Sequence, residues 1–187
     1  MLPRFNVKNF RYSHLDNLAY DDVATKEALT EELKFFKQNG GGTIAENNTI
    51  GRDLDFLKEL SQVSGTKIVA GTGFYVAPGQ PASNLCLSQE QMYGVMKDEL
   101  TVGKNKIKCG FIGEIGTSFP VPDFERKSLS ASGQLQEELR VPAMIHPARY
   151  KESPFESLRI FMEAGGKAQR TVMAHLERES SPLISNV

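Results

Sequence analysis

The sequence predicts an α/β fold in which parallel strands are joined by crossover helices. Three observations predict it. Helical stretches and short apolar runs alternate along the chain, the order expected of repeated strand-helix units. The runs are apolar throughout, as strands covered on both faces are. Three successive runs also end in a metal-capable side chain at near-constant spacing. A (β/α) barrel and an open doubly wound sheet both satisfy this pattern.

The elements follow in order. A first helix is expected over about Ala24 to Gln38, with Leu29, Leu33 and Phe36 at helical spacing and Gly40, Gly41 and Gly42 as its stop. A short strand follows at Thr43 to Glu46. The second helix, about Asp53 to Ser64, carries Leu57, Leu60 and Val63 on one face and ends at Gly65. Lys67 to Ala70 is the next strand. After a Gly- and Pro-containing loop, Ser88 and Gln91 form a capping-box pattern that opens a helix running to about Leu100. KCGFIGEIG is a buried-strand candidate, Asp123 to Leu139 a helix and AMIH a strand. Pro154 to Glu163 reads as a helix closed by Gly165 and Gly166, and TVMAH as a last strand. The count is five strands and five helices in one domain, with about 1–23 as a lead-in, 24–175 as βα units and 176–187 as a divergent tail.

Composition narrows the function. The 187 residues are 40% hydrophobic and 24% charged, enough apolar material for a core. Lys and Arg number 22 against 23 Asp and Glu, with no block of like charge. A nucleic-acid partner is therefore not expected, since neutralising phosphates requires a concentrated basic surface. No run of about 18 apolar residues marks a membrane span, and MLPRFNVKNF lacks a signal-peptide core, so a cytosolic (cytoplasmic) location and no membrane partner are expected. Cys86 and Cys109 form no CxxC pair; Cys109 lies in an apolar run and is expected to pack as a small buried side chain.

The three terminal side chains are Glu114 in GFIGEIG, His146 in AMIHP and His175 in TVMAHL, separated by 32 and then 29 residues, each about one strand-helix unit. On parallel neighbouring strands all three would share the carboxyl-end rim, where active sites of barrels and doubly wound sheets lie. Imidazole nitrogen and carboxylate oxygen suit zinc and similar divalent ions, and an open position would hold water. Taken singly, a histidine at a strand end is commonly a hydrogen-bonded structural residue. Three in matching positions point to a metal site. His14 has no such context. Arg52 after the first strand, Tyr75 after the second and Arg149 after His146 are candidate substrate-binding residues, with Asn47, Asn48 and Thr72 beside them. Arg52 or Arg149 would pair with a sulfonate or carboxylate. NGGG is a helix stop rather than a phosphate cradle, because a strand follows it.

In order and spacing, NGGGTIAENNTIGRD, IVAGTGFYV, IKCGFIGEIGTSFP, ERKSL, MIHPARYKESPFESLRI and EAGGKAQRTVMAHLER resemble the phosphotriesterase-related family of the amidohydrolase superfamily. The resemblance implies a partial (β/α)8 TIM-type barrel with a binuclear divalent-metal site, zinc being the expected ion. It implies that Glu114 bridges the two metals, where bacterial phosphotriesterases have a carbamylated lysine. His146 and His175 would hold the second metal. It also implies hydrolysis of small N-acyl amides, with N-acetyltaurine and N-acetyl amino acids as the substrate class. The family's His-x-His pair of the first strand and its eighth-strand aspartate find no match here, so strands 1, 7 and 8 are expected to be absent and at most one metal well held. The alternative expectation is a truncated, inactive or partner-dependent product.

Overall fold

The computed structural model describes residues 23–176. His14, the lead-in up to residue 22 and the tail from 177 lie outside the described residues.

Each helix begins and ends where its local chemistry dictates. Helix α1 (Val23–Gln38) stops before Gly40, whose φ of 89° takes the chain out of helical geometry. β1 is Thr43–Glu46. Helix α2 (Leu54–Ser64) is capped by Asp53, which accepts from the Phe56 N–H at 3.0 Å, and closes on Gly65 in the left-handed region. β2 spans Lys67–Thr72, followed by a 3-10 turn (Ala77–Gly79) and a four-residue helix α3 (Ala82–Leu85). Helix α4 (Gln89–Thr101) opens with the Ser88–Gln91 capping box expected from the sequence. β3 (Phe111–Gly116), α5 (Asp123–Leu139), β4 (Ala143–His146) and α6 (Ser153–Glu163) follow, then a 3-10 turn (Ala168–Arg170) and β5 (Thr171–Met173).

The structure departs from the sequence reading in small ways. β2 runs two residues further, to Thr72, β3 starts at Phe111 rather than at Lys108, and β5 ends at Met173. The loop after β2 contains structure too short to show a period.

All strand pairs are parallel, and the sheet order is β1-β2-β3-β4-β5. A doubly wound sheet reverses its order at a switch point; this sheet never does. Sequential winding in one direction is the barrel pattern, and the chain forms a partial (β/α)8 barrel. Neighbouring helices pack on one another in sequence, α1 on α2, α4 on α5, α5 on α6.

Strand parity separates the two faces. On β4, Ala143 and Ile145 are buried under the helices, while Met144 and His146 turn to the other face and are half-buried. The core lies between sheet and helices, where Met92, Met96, Ile112, Ile115, Leu129, Leu135, Ile145 and Phe161 lose all contact with solvent. On the opposite, barrel-interior face, Val69 and Val172 remain exposed. No residue of β1, and none of α1 from Lys26 on, is fully buried, so the packing is concentrated from α2 to α6.

Candidate metal centre

Glu114 reaches the rim because β3 is irregular. Its register with β4 pairs Ile112 with Ala143 and then Ile115 with Ile145, so one residue more is used on β3 than on β4. Such a bulge removes a residue from the ladder and re-aims its side chain. The Glu114 N–H does not enter the β3–β4 ladder and donates instead to the Asn47 carbonyl just beyond β1, at 2.9 Å.

His146 is the last residue of β4. Its carbonyl accepts from the Thr117 N–H at 2.9 Å and from the Thr117 hydroxyl at 3.3 Å, and that hydroxyl lies 2.9 Å from Ser157 Oγ on α6. The backbone that carries the imidazole is thus tied to both neighbouring elements. His175 stands two residues past β5 with φ 60°, after Ala174 has donated to the Ile145 carbonyl at 2.9 Å. That left-handed residue is where the chain turns away from the ladder.

The structure brings the three side chains together. His146 Nδ1 lies 2.7 Å from Glu114 Oε1, the rings of His146 and His175 are 4.5 Å apart between centroids at 66°, and one donor atom from each of the three residues lies within 4.8 Å of the others. Glu114 and His146 side chains are 19% and 17% exposed, a partly dry site still open to a small molecule. Among the described residues this is the group of His, Cys, Asp and Glu side chains that fits an ion. A tetrahedral zinc at bond lengths of about 2.0–2.2 Å sets its donors about 3.3 Å apart. The Glu114–His146 contact would open by roughly half an ångström, and the widest pair would close by rotamer adjustment. The donor set therefore fits a divalent cation, and His146, His175 and Glu114 are the residues that would hold it.

Tyr75 follows β2 and sets its ring edge-on to His146, with centroids 5.3 Å apart. It can lie there because Gly116 has no side chain: a Cβ at that position would stand 2.6 Å from Tyr75 Cδ2 and from the Val76 nitrogen. Asn47 Nδ2 reaches Glu114 Oε1 at 3.3 Å and Met144 Sδ at 3.2 Å.

The two arginines diverge. Arg52 gives Glu99 two contacts at 2.8 Å and also donates to the Gly71 carbonyl; it lines a largely apolar cleft between α1, β1 and α2 rather than the histidine cluster. Arg149 is exposed and shares a small pocket with His175, Pro147, Tyr150 and Leu176. Cys109 is buried, as the sequence reading expects, and burial pushes its thiol pKa up, so it stays a protonated packing residue beside the Arg52–Glu99 pair.

Sequence reasoning missed Glu125. It is fully buried near the start of α5, and accepts from the Ala77 N–H at 3.0 Å, the Ser118 N–H at 2.5 Å and the Ser118 hydroxyl at 3.0 Å. It joins the loops after β2 and β3, the first of which carries Tyr75. The available signal was positional: Glu125, Ser128, Ser132 and Gln136 recur at helical spacing among the apolar residues of α5, which makes a buried polar stripe.

A sequence profile described as the Phosphotriesterase family matches residues 1–183. The human N-acetyltaurine hydrolase is 43% identical over 176 residues, covering 92% of this chain and 50% of that protein. The phosphotriesterase-related protein of Drosophila mojavensis is 40% identical over 178 residues, covering 92% and 51%. The chain thus spans about half the length of the curated relatives it matches. Among solved structures, a resiniferatoxin-binding protein from Rhodobacter sphaeroides superposes with a TM-score of 0.79 at 27% identity, over 92% of this chain and 49% of that one. A phosphotriesterase homology protein from Escherichia coli, solved with phosphate in its active site, gives 0.74 at 24% identity over 79% and 53%, a likeness of fold.

Proposed function

The chain belongs to the phosphotriesterase family, and from that premise we propose that Glu114, His146 and His175 are the metal-holding part of a hydrolase centre that cleaves small N-acyl amides. The observation that carries the reading is the convergence of three donors, from β3, β4 and the turn after β5, within 4.8 Å. Zinc is the ion this donor set favours: two imidazoles and a carboxylate leave one position open for water. When bound, such an ion ionises water near neutral pH and polarises the bond under attack.

The chain's own residues supply placement. Glu114 offers a carboxylate beside His146, and Thr117 holds the His146 backbone, so both donors arrive with restricted freedom. Tyr75 packs at right angles to the His146 ring and limits its rotation. Arg149, exposed next to the His175 pocket, is the cation that would receive an anionic end of the substrate. Arg52 is already engaged by Glu99, which supports Arg149 over Arg52 in that role. N-acetyltaurine and N-acetyl amino acids both carry an acyl amide and an anion, and the human relative's name supports this substrate class. The cytosol is the proposed location; among the described residues no helix is long and apolar enough to cross a membrane.

The test is zinc content and zinc affinity of the purified chain beside His146→Ala and His175→Ala, with taurine release from N-acetyltaurine followed in the same samples. Removing one of three ligands should weaken binding at least about tenfold in each variant. Arg149→Ala should raise the KM for N-acetyltaurine and leave that for a neutral N-acetyl amide in place. Zinc uptake by the folded chain that both histidine variants retain in full would overturn the reading.

A further inference from the structure

We propose that Asn47 is a positioning residue for the metal-ligating carboxylate, holding Glu114 by main chain and side chain together. The inference rests on the metal-site reading above and extends it to a residue on a strand that contributes no ligand.

β1 and β3 are not neighbours in the sheet; β2 lies between them. Asn47, one residue past β1, nevertheless reaches Glu114 twice. Its carbonyl takes the N–H that the β3 bulge withdraws from the ladder, at 2.9 Å, and its amide Nδ2 lies 3.3 Å from Glu114 Oε1. That oxygen is the one 2.7 Å from His146 Nδ1. Gly73, just past β2, packs closely on the same residue: a Cβ there would meet the Glu114 carbonyl oxygen at 3.2 Å.

The chemistry of the amide fits the role. An amide N–H on one carboxylate oxygen fixes the direction in which the carboxylate faces and leaves further lone pairs on the same group for the ion. It also removes rotamers that a free glutamate would have to surrender on binding. Met144 Sδ, 3.2 Å from Nδ2 on the other side, limits how far the amide can swing. Partners of this kind commonly change metal affinity by about 10–100-fold.

Cobalt(II) and zinc are the probes, with affinity measured by competition against a chromophoric chelator and the visible cobalt absorption recorded as a signature of ligand geometry. Asn47→Ala keeps the backbone carbonyl and deletes the amide; Asn47→Asp keeps the shape and replaces the donor by an acceptor beside Glu114. Both should bind metal about tenfold or more weakly and alter the cobalt spectrum, while the metal-free unfolding midpoint stays near that of the unsubstituted chain. If the alanine variant folds poorly, the aspartate variant carries the test. Unchanged affinity and spectrum in the variants, with His146→Ala still impaired, would overturn the role of Asn47 alone. If His146→Ala also binds as tightly as the parent, the metal-site reading fails and this inference with it.

Discussion

Glu125 shows how a single buried side chain can shape a rim it never enters. Its carboxylate has no solvent contact, sits in the first turn of α5 where the helix dipole favours a negative charge, and accepts three hydrogen bonds from two loops. Replacement by alanine leaves the Ala77 and Ser118 N–H groups without their acceptor, at about 1–3 kcal/mol each where they stay dry. Glu125→Ala should therefore lower unfolding free energy in urea by at least about 2 kcal/mol. Glu125→Gln, which retains one acceptor oxygen, should lose less. Equal stability of all three proteins would show that water replaces the carboxylate freely. Glu114, His146 and His175 were legible in the sequence because each ends an apolar run, a local mark. Glu125 was not, since its partners lie 7 and 48 positions away and its burial depends on how α5 is rolled against the sheet.

At the scale of elements, the pairing of α5 with α6 depends on Gly133. A Cβ there would run into the Phe161 carbonyl oxygen and stand 3.1 Å from the Ala164 methyl carbon. Two effects compete in Gly133→Ala. Alanine gains about 1 kcal/mol of helix propensity over glycine, whereas overpacking a tight contact costs about 1–3 kcal/mol. Because the obstacle is backbone, which cannot rotate away, the cost should prevail. The variant is expected to unfold at lower temperature than the parent in calorimetry, and a higher midpoint would mean that the helices shift apart without penalty. The helices themselves were legible: the Asp53 cap, the Ser88–Gln91 box and the Gly65 stop all act within a few residues. α3 and the two 3-10 turns were not, each being about one turn long and too short for a pattern to repeat. The bulge in β3 was likewise hidden, since register is a property of two strands.

For the whole molecule, local periodicity left barrel and doubly wound sheet open, because both are built from the same strand-helix unit. Only the order in which strands neighbour one another separates them, and that order is long-range information. Here it runs without reversal from β1 to β5, and the three donors come from β3, β4 and the turn after β5. An ion gripped by β3, β4 and the turn after β5 would have to be released before any one of them detaches, so it would act as a clasp on part of the chain. At a free metal concentration a hundred times Kd, the clasped state gains about 2.7 kcal/mol. Backbone amides of β3 to β5 that exchange only when this region opens should then exchange up to about a hundredfold more slowly with zinc than with a chelator, as read by mass spectrometry. Amides of α1 and β1, where packing is thin, should exchange at the same rate in both. Uniform slowing along the chain would mean instead that the molecule opens as one unit, and that a metal bound at one end of the sheet governs how long every hydrogen in it is kept.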